Sequence, residues 1–175
     1  MINNYTSQIT ILTNSANSLI AILNKTKLQL ESKNITESQV INGQLAPDMF
    51  NLARQIGIVS DNLKGGVSRI TGTPNPVYDE ELTTIDECIA RLNKTVDYVK
   101  SVESSLLENI DNSIKVILPW MKDKGLYLDL DHYVNNFLIP NTYFHIVIAY
   151  AIIRHLGFDI AKNDFIGELN FKSVE

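Results

Sequence analysis

Histidine is scarce in this chain. There are three among 175 residues, and none before position 132. A metal centre built from histidines on several segments is therefore hard to assemble. There is one cysteine, Cys88, so an internal disulfide is excluded. Basic residues never cluster. The 15 Lys and Arg are scattered among 20 Asp and Glu, and the net charge is −5. Nucleic-acid binding needs a clustered basic face, and electrostatic membrane anchoring needs a polybasic segment; both are excluded on this count. The opening "MINNYTSQIT" has neither a basic nor an apolar leader region, which predicts no signal peptide. With a lone thiol, the expected location is the reducing cytoplasm. The longest apolar stretch, residues 144–153, is too short on its own to span a bilayer.

What is present is helical periodicity. Apolar residues amount to 45%, enough for a core in a single domain spanning 1–175. At about 100° per residue, Ile9, Leu12, Ala16, Leu19, Ile20 and Leu23 line one face of a helix over 2–30. Thr36 can cap a short turn in the polar stretch 31–44. A second helix is expected over 45–72, with Pro47 in its first turn and Asp48 at its N-terminus. Its apolar stripe includes Leu52, Ile56, Leu63, Val67 and Ile70. Gly72, Pro74 and Pro76 open a long loop, and a third helix follows over 83–104. "SIKVIL" (113–118) and "LYLDLD" (126–131) read as a small hairpin or extended excursion. A fourth helix begins near Asp131, is expected to break at Pro140, and resumes over 141–156. The tail after Gly157 keeps apolar residues that can fold back on the surface. Four such helices predict an all-α four-helix bundle.

The chemistry-bearing residues are few. His145 and His155 lie ten apart, about 280° around a helical wheel, so they face different points. Neither has a histidine partner four residues away. His145 shares a line with Ala149, Ile152 and Leu156, which places it toward the core or a pocket. Tyr143, Val147, Tyr150 and Arg154 share the opposite side and form a candidate interface centred on Tyr150 and Arg154. Asp48, Gln55 and Asn62 recur at seven-residue spacing off the apolar stripe. Asp48 reads as a cap, Gln55 and Asn62 as solvated. Lys64-Gly65-Gly66 lacks phosphate-loop spacing and reads as close helix packing. Cys88 falls on a buried face, which suits a structural thiol.

Two stretches carry a resemblance. "QLAPDMFNLARQ" (44–55) and "PNTYFHIVIAYAIIRHLGFDIAKNDFIG" (140–167) resemble the hallmark segments of a bacterial and fungal family catalogued as domain of unknown function nineteen-ninety-three. That family belongs with the DinB-like (damage-inducible) bundles. The resemblance implies an up-down-down-up topology with a long crossover between the second and third bundle helices. It also implies a three-histidine divalent metal centre, such as zinc or nickel, and in some relatives transferase activity with bacillithiol, mycothiol or glutathione. The histidine pattern here does not match that triad, so neither the metal nor the transferase carries over. The expectation is a metal-free protein that binds a small ligand, with His145, Asp48 and Tyr143 as candidate lining residues, and that forms a homodimer. The alternatives are a metal-dependent transferase or hydrolase with an unusual ligand set around His145, and a purely structural homodimer.

Overall fold

The computed structural model describes residues 2–111, 113–169 and 171–174. The chain begins with a two-residue strand β1 (Ile2–Asn3), not with a helix, and α1 covers Thr6–Lys33. Asn34 adopts the left-handed conformation and ends α1. Thr36 then opens α2 (Glu37–Ile41) with a reciprocal capping box through Gln39.

Helix α3 covers Leu52–Thr71. Its cap is Asn51, whose side-chain oxygen accepts from the Arg54 N–H at 3.0 Å. Pro47 and Asp48 therefore lie in the preceding turn and not in the helix. There the Met49 N–H bonds the Ala46 carbonyl at 3.0 Å. α4 (Ile85–Ser101) starts with a second capping box, Thr84 with Glu87. Strand β2 (Ile110–Asp111) pairs with β1. The expected hairpin exists in minimal form, with β3 (Lys115–Val116) antiparallel to β4 (Leu128–Asp129), joined through a 3-10 turn at Pro119–Lys124.

Pro140 does not break the fourth bundle helix. α5 (Leu130–Tyr133) passes through a π turn at Val134–Leu138 into α6 (Ile139–His155). The Ile139 N–H bonds the Val134 carbonyl, five residues back. The widened turn makes room for the proline ring and its missing N–H, so the helix runs on. The joined helix, Leu130–His155, is long and apolar enough to cross a membrane by length and composition. Here it packs as a core helix, against α3 on one side and α1 on another. α7 (Lys162–Ile166) folds back onto α1, where Asp164 pairs with Lys25 at 2.9 Å.

The bundle order around the core is α1, α4, α3, α6. Pairings fix the directions. The end of α1 meets the start of α4 through Lys27 and Asp86, so these run antiparallel. Gln55 meets His145 while Asn62 meets Asn141, so α3 and α6 are antiparallel. The starts of α3 and α4 both abut α2: the Leu52 N–H bonds the Gly43 carbonyl, and the Ile85 N–H bonds the Glu37 carboxylate. Those two neighbours are therefore parallel, and the topology is up-down-down-up.

A parallel pair requires the chain to return the length of the bundle. α3 has 20 residues and is about 30 Å long. The strap 72–84, without regular structure, covers that distance. Tyr78 pins it, its ring 4.3 Å from Lys94 Nζ and 5.2 Å from both Lys64 and Arg91. Glu80 completes the staple, pairing with Lys94 at 2.7 Å and Arg91 at 3.0 Å. The Lys94 hydrogen bond holds the Glu80 carboxyl down at about 2.

The core has two apolar halves. One, next to α2, gathers Leu19, Leu23, Leu52, Ile56, Cys88 and Ile152; the other gathers Leu12, Leu63, Val67, Val96, Tyr133 and Leu138. Between them, polar pairs bridge neighbouring helices. Ser60 meets Thr95 at 2.6 Å, Asn141 donates to Asn62 at 3.2 Å, and Ser15 donates to Tyr143 at 3.0 Å. Cys88 is fully buried, and burial pushes its thiol up to about 12. Phe158 and Ile160 of the tail join the core, while Leu169, Phe171 and Val174 stay exposed.

Gly66 is where α3 and the π turn approach most closely. A Cβ there would lie 2.6 Å from Leu138 Cδ2. Gly66→Val is expected to cost about 1–3 kcal/mol, seen as a lower urea midpoint at unchanged slope. In a double-mutant cycle with Leu138→Ala the two losses should sum to more than the double variant shows, because the smaller side chain vacates the space.

Candidate functional site

The polar contact with most chemical content lies between α3 and α6. His145 and Gln55 are both buried, at 9% and 1% exposure. His145 Nδ1 lies 2.6 Å from Gln55 Oε1. The Gln55 amide is itself oriented, because its Nε2 donates to the Phe50 carbonyl at 3.0 Å. The amide oxygen must then face the imidazole, and it can only accept. His145 Nδ1 therefore carries the proton, and Nε2 keeps its lone pair. Nε2 has no hydrogen-bond partner among the described residues and is not among the sealed, unpartnered polar atoms. It is therefore not completely sealed from solvent.

The surroundings keep the ring neutral. Burial lowers the His145 pKa below its usual 6.5, and the Arg54 guanidinium lowers it further. The Phe144 ring meets the imidazole edge-on at 5.2 Å. Phe50, 55% exposed, lies under the Arg54 guanidinium at 5.6 Å. Phe50, Arg54, Gln55, Phe144 and His145 thus form one connected group at the N-terminal end of α3.

One turn of α6 earlier, Asn141 donates to Asn62. The Asn62 Nδ2 is buried without a partner. On the adjoining side of α3, a cleft of about 390 Å³ opens beneath the strap. Asn51, Arg54, Gly57, Asp61, Tyr78 and Arg91 line it. Arg54 borders this cleft and also acts on His145.

The sequence-derived candidates are scattered. His145 faces α3. Tyr143 faces α1, its hydroxyl bonded to Ser15. Asp48 is exposed in the turn before α3. These three do not share a cavity. Tyr150 meets Phe165 of α7 edge-on at 5.6 Å, and Arg154 donates to the Phe158 carbonyl at 2.9 Å. Both are engaged within the chain, and the exposed apolar residues of α6 are Phe144 and Val147. Gln55 and Asn62, read from the sequence as solvated, face α6. Gln55 and Asn62 recur about two turns apart on α3, and their partners His145 and Asn141 about one turn apart on α6. That double polar ladder was the available signal.

A divalent ion does not fit this donor set. The residue on α3 facing His145 is an amide, already committed on both its atoms. Arg54 places positive charge beside the ring, and one imidazole is a small part of a zinc or nickel site. Among the described residues no group of three or more His, Cys, Asp and Glu could hold a metal. His132 and His155 are exposed and stand apart from His145.

The depressed His145 pKa sets a pH dependence. The unfolded chain binds the proton at about 6.5 and the folded chain only at lower pH, so stability is full above 6.5 and falls as pH drops below it. Urea unfolding of wild type and His145→Gln between pH 8 and 5 checks this. The variant should lose less stability on acidification than wild type.

No curated protein matches the chain. A crystal structure of a DinB family member protein from Shewanella denitrificans is similar over 95% of this chain and 93% of that one, with a TM-score of 0.86 and 31% identity. The profile of the family described as Domain of unknown function (DUF1993) matches residues 4–166. The chain belongs to that family, and it does so as a DinB-like four-helix bundle.

Proposed function

We propose that this protein binds a small ligand without a metal, at His145 on the α3–α6 seam. The observation that supports this most directly is the ring nitrogen left unpaired. Three features of the imidazole environment are costly to build: a buried ring, an amide that orients it, and a backbone carbonyl that orients the amide. A ring needed only for packing would have both of its nitrogens satisfied, whereas here Nε2 is left without a partner. The aromatic faces of Phe50 and Phe144 supply apolar contact around one acceptor, as small-molecule sites do. The role is binding rather than catalysis, because the described residues offer His145 no second acid, base or nucleophile.

A second copy of the chain is the proposed partner. Phe144 and Val147 leave apolar surface on α6, at 55% and 45% exposure, and Phe50 adds to it from the α3 side. The even spread of charge and the buried, unreactive Cys88 support a cytoplasmic setting.

Elemental mass spectrometry of the untagged protein tests the metal-free reading. The expected result is well under one zinc, nickel or iron per chain, with an unchanged melting temperature after chelation. Near-stoichiometric metal, lost in His145→Ala, overturns it. Light scattering on a sizing column tests the second copy: a dimer is expected for wild type and a monomer for Phe144→Ser with Val147→Ser. A wild-type monomer at high concentration overturns the dimer.

A further inference from the structure

We propose that Gln55 is the positioning residue of the site. It locks His145 in the Nδ1–H form, which makes Nε2 a permanent acceptor and selects ligands of the phenol class. The inference rests on the reading that this site binds a small ligand.

The selection follows from the hydrogen-bond inventory. A histidine free to choose its tautomer meets a donor or an acceptor equally well. Here one choice is removed. The Phe50 carbonyl accepts from Gln55 Nε2, Gln55 Oε1 accepts from His145 Nδ1, and the chain of donors ends at a bare Nε2 lone pair. A carboxylate or a carbonyl arriving at Nε2 meets lone pair against lone pair. Protonating the ring to accommodate it is opposed by burial and by Arg54. A hydroxyl donor fits without any such change.

The other neighbours narrow the class. The Arg54 guanidinium favours a group that carries partial negative charge as it donates, which describes an acidic hydroxyl better than an alcohol. Phe144, edge-on to the imidazole, and the exposed ring of Phe50 favour a flat aromatic body. An aromatic hydroxy compound satisfies all three conditions. Asp48 and Tyr143 take no part in this selection, since neither contacts the His145–Gln55 pair.

Two measurements separate the parts. Nitrogen-15 NMR of the imidazole reads the tautomer with no ligand present. Wild type should show Nδ1 protonated and Nε2 bare. In Gln55→Leu the Nε2–H form should appear. Gln55→Glu, which still accepts from Nδ1–H, should raise the His145 pKa relative to wild type and, at a pH above it, restore the wild-type tautomer. A wild-type ring protonated at Nε2 overturns the proposal whether or not anything binds. The second measurement titrates 4-nitrophenol, at a pH low enough to keep its hydroxyl protonated, and 4-nitroanisole, the same body without the donor. Wild type should prefer the phenol by about tenfold or more, and Gln55→Leu should lose that preference. Equal binding of both probes overturns the selectivity while leaving ligand binding itself supported. If neither probe binds although Nδ1 is protonated, the phenol class is overturned, and Gln55 keeps its positioning role.

Discussion

Two adjacent helices of this bundle run in the same direction, and much else follows from that constraint. Antiparallel neighbours need only a short turn, but α3 and α4 both start at the α2 end. The chain must travel back along about 30 Å. A strap that long has few backbone bonds of its own, so side chains must hold it. Tyr78 among three cations and Glu80 between Arg91 and Lys94 do so. The strap stands off α3 far enough to leave the cleft beneath it, and Arg54 lies at the edge of that cleft. The parallel pair therefore creates a concave surface next to the seam that carries His145.

That seam obeys a different rule. Polar groups taken out of water must find partners or lose about 1–3 kcal/mol each. Gln55 and His145 meet this requirement reciprocally, and Asn62 with Asn141 meets it in part. Apolar contacts alone would allow α3 and α6 to slide by a turn with modest loss, whereas paired amides allow one register. The same pairing sets both the register of the two helices and the tautomer of the imidazole. Across the seam His145 thus faces an amide, not a carboxylate or a second imidazole.

The architecture was legible because it rests on periodicity. Leu12, Leu19 and Leu23, then Ile56, Leu63 and Val67, then Cys88, Leu92 and Val96 fall on buried faces as the 3.6-residue repeat demands. Thr36 caps as its local chemistry suggests, and Gly66 is a close helix contact, while Gly65 faces only Arg69 of its own helix. Three of the readings that failed did so for identifiable reasons. Pro47 and Asp48 have good first-turn chemistry, but Asn51 caps from a position that lets Leu52 begin the buried stripe. Pro140 looked like a break because a proline clashes in an α-helix; a π turn was not among the options that spacing reveals. Gln55 and Asn62 looked solvated because a polar side chain on one helix says nothing about a polar side chain opposite it. The candidate site depends on that second helix. Only His145 could be named from one strand of sequence, and its partner could not.

The closing contacts join the two ends of the chain. Lys25 meets Asp164, Lys33 meets Asp159, and the Gln29 side chain accepts from the Asp159 N–H, while Tyr143 of α6 reaches Ser15 of α1. During synthesis α1 emerges well before the residues that cover its α6 and α7 faces. At roughly 5–20 residues per second, the first helix waits for several seconds or more with apolar positions such as Leu19 and Leu23 uncovered. Its other side carries Asn, Gln, Ser and Lys in nearly every turn. That polar coat keeps α1 in solution until α6 and α7 have been made.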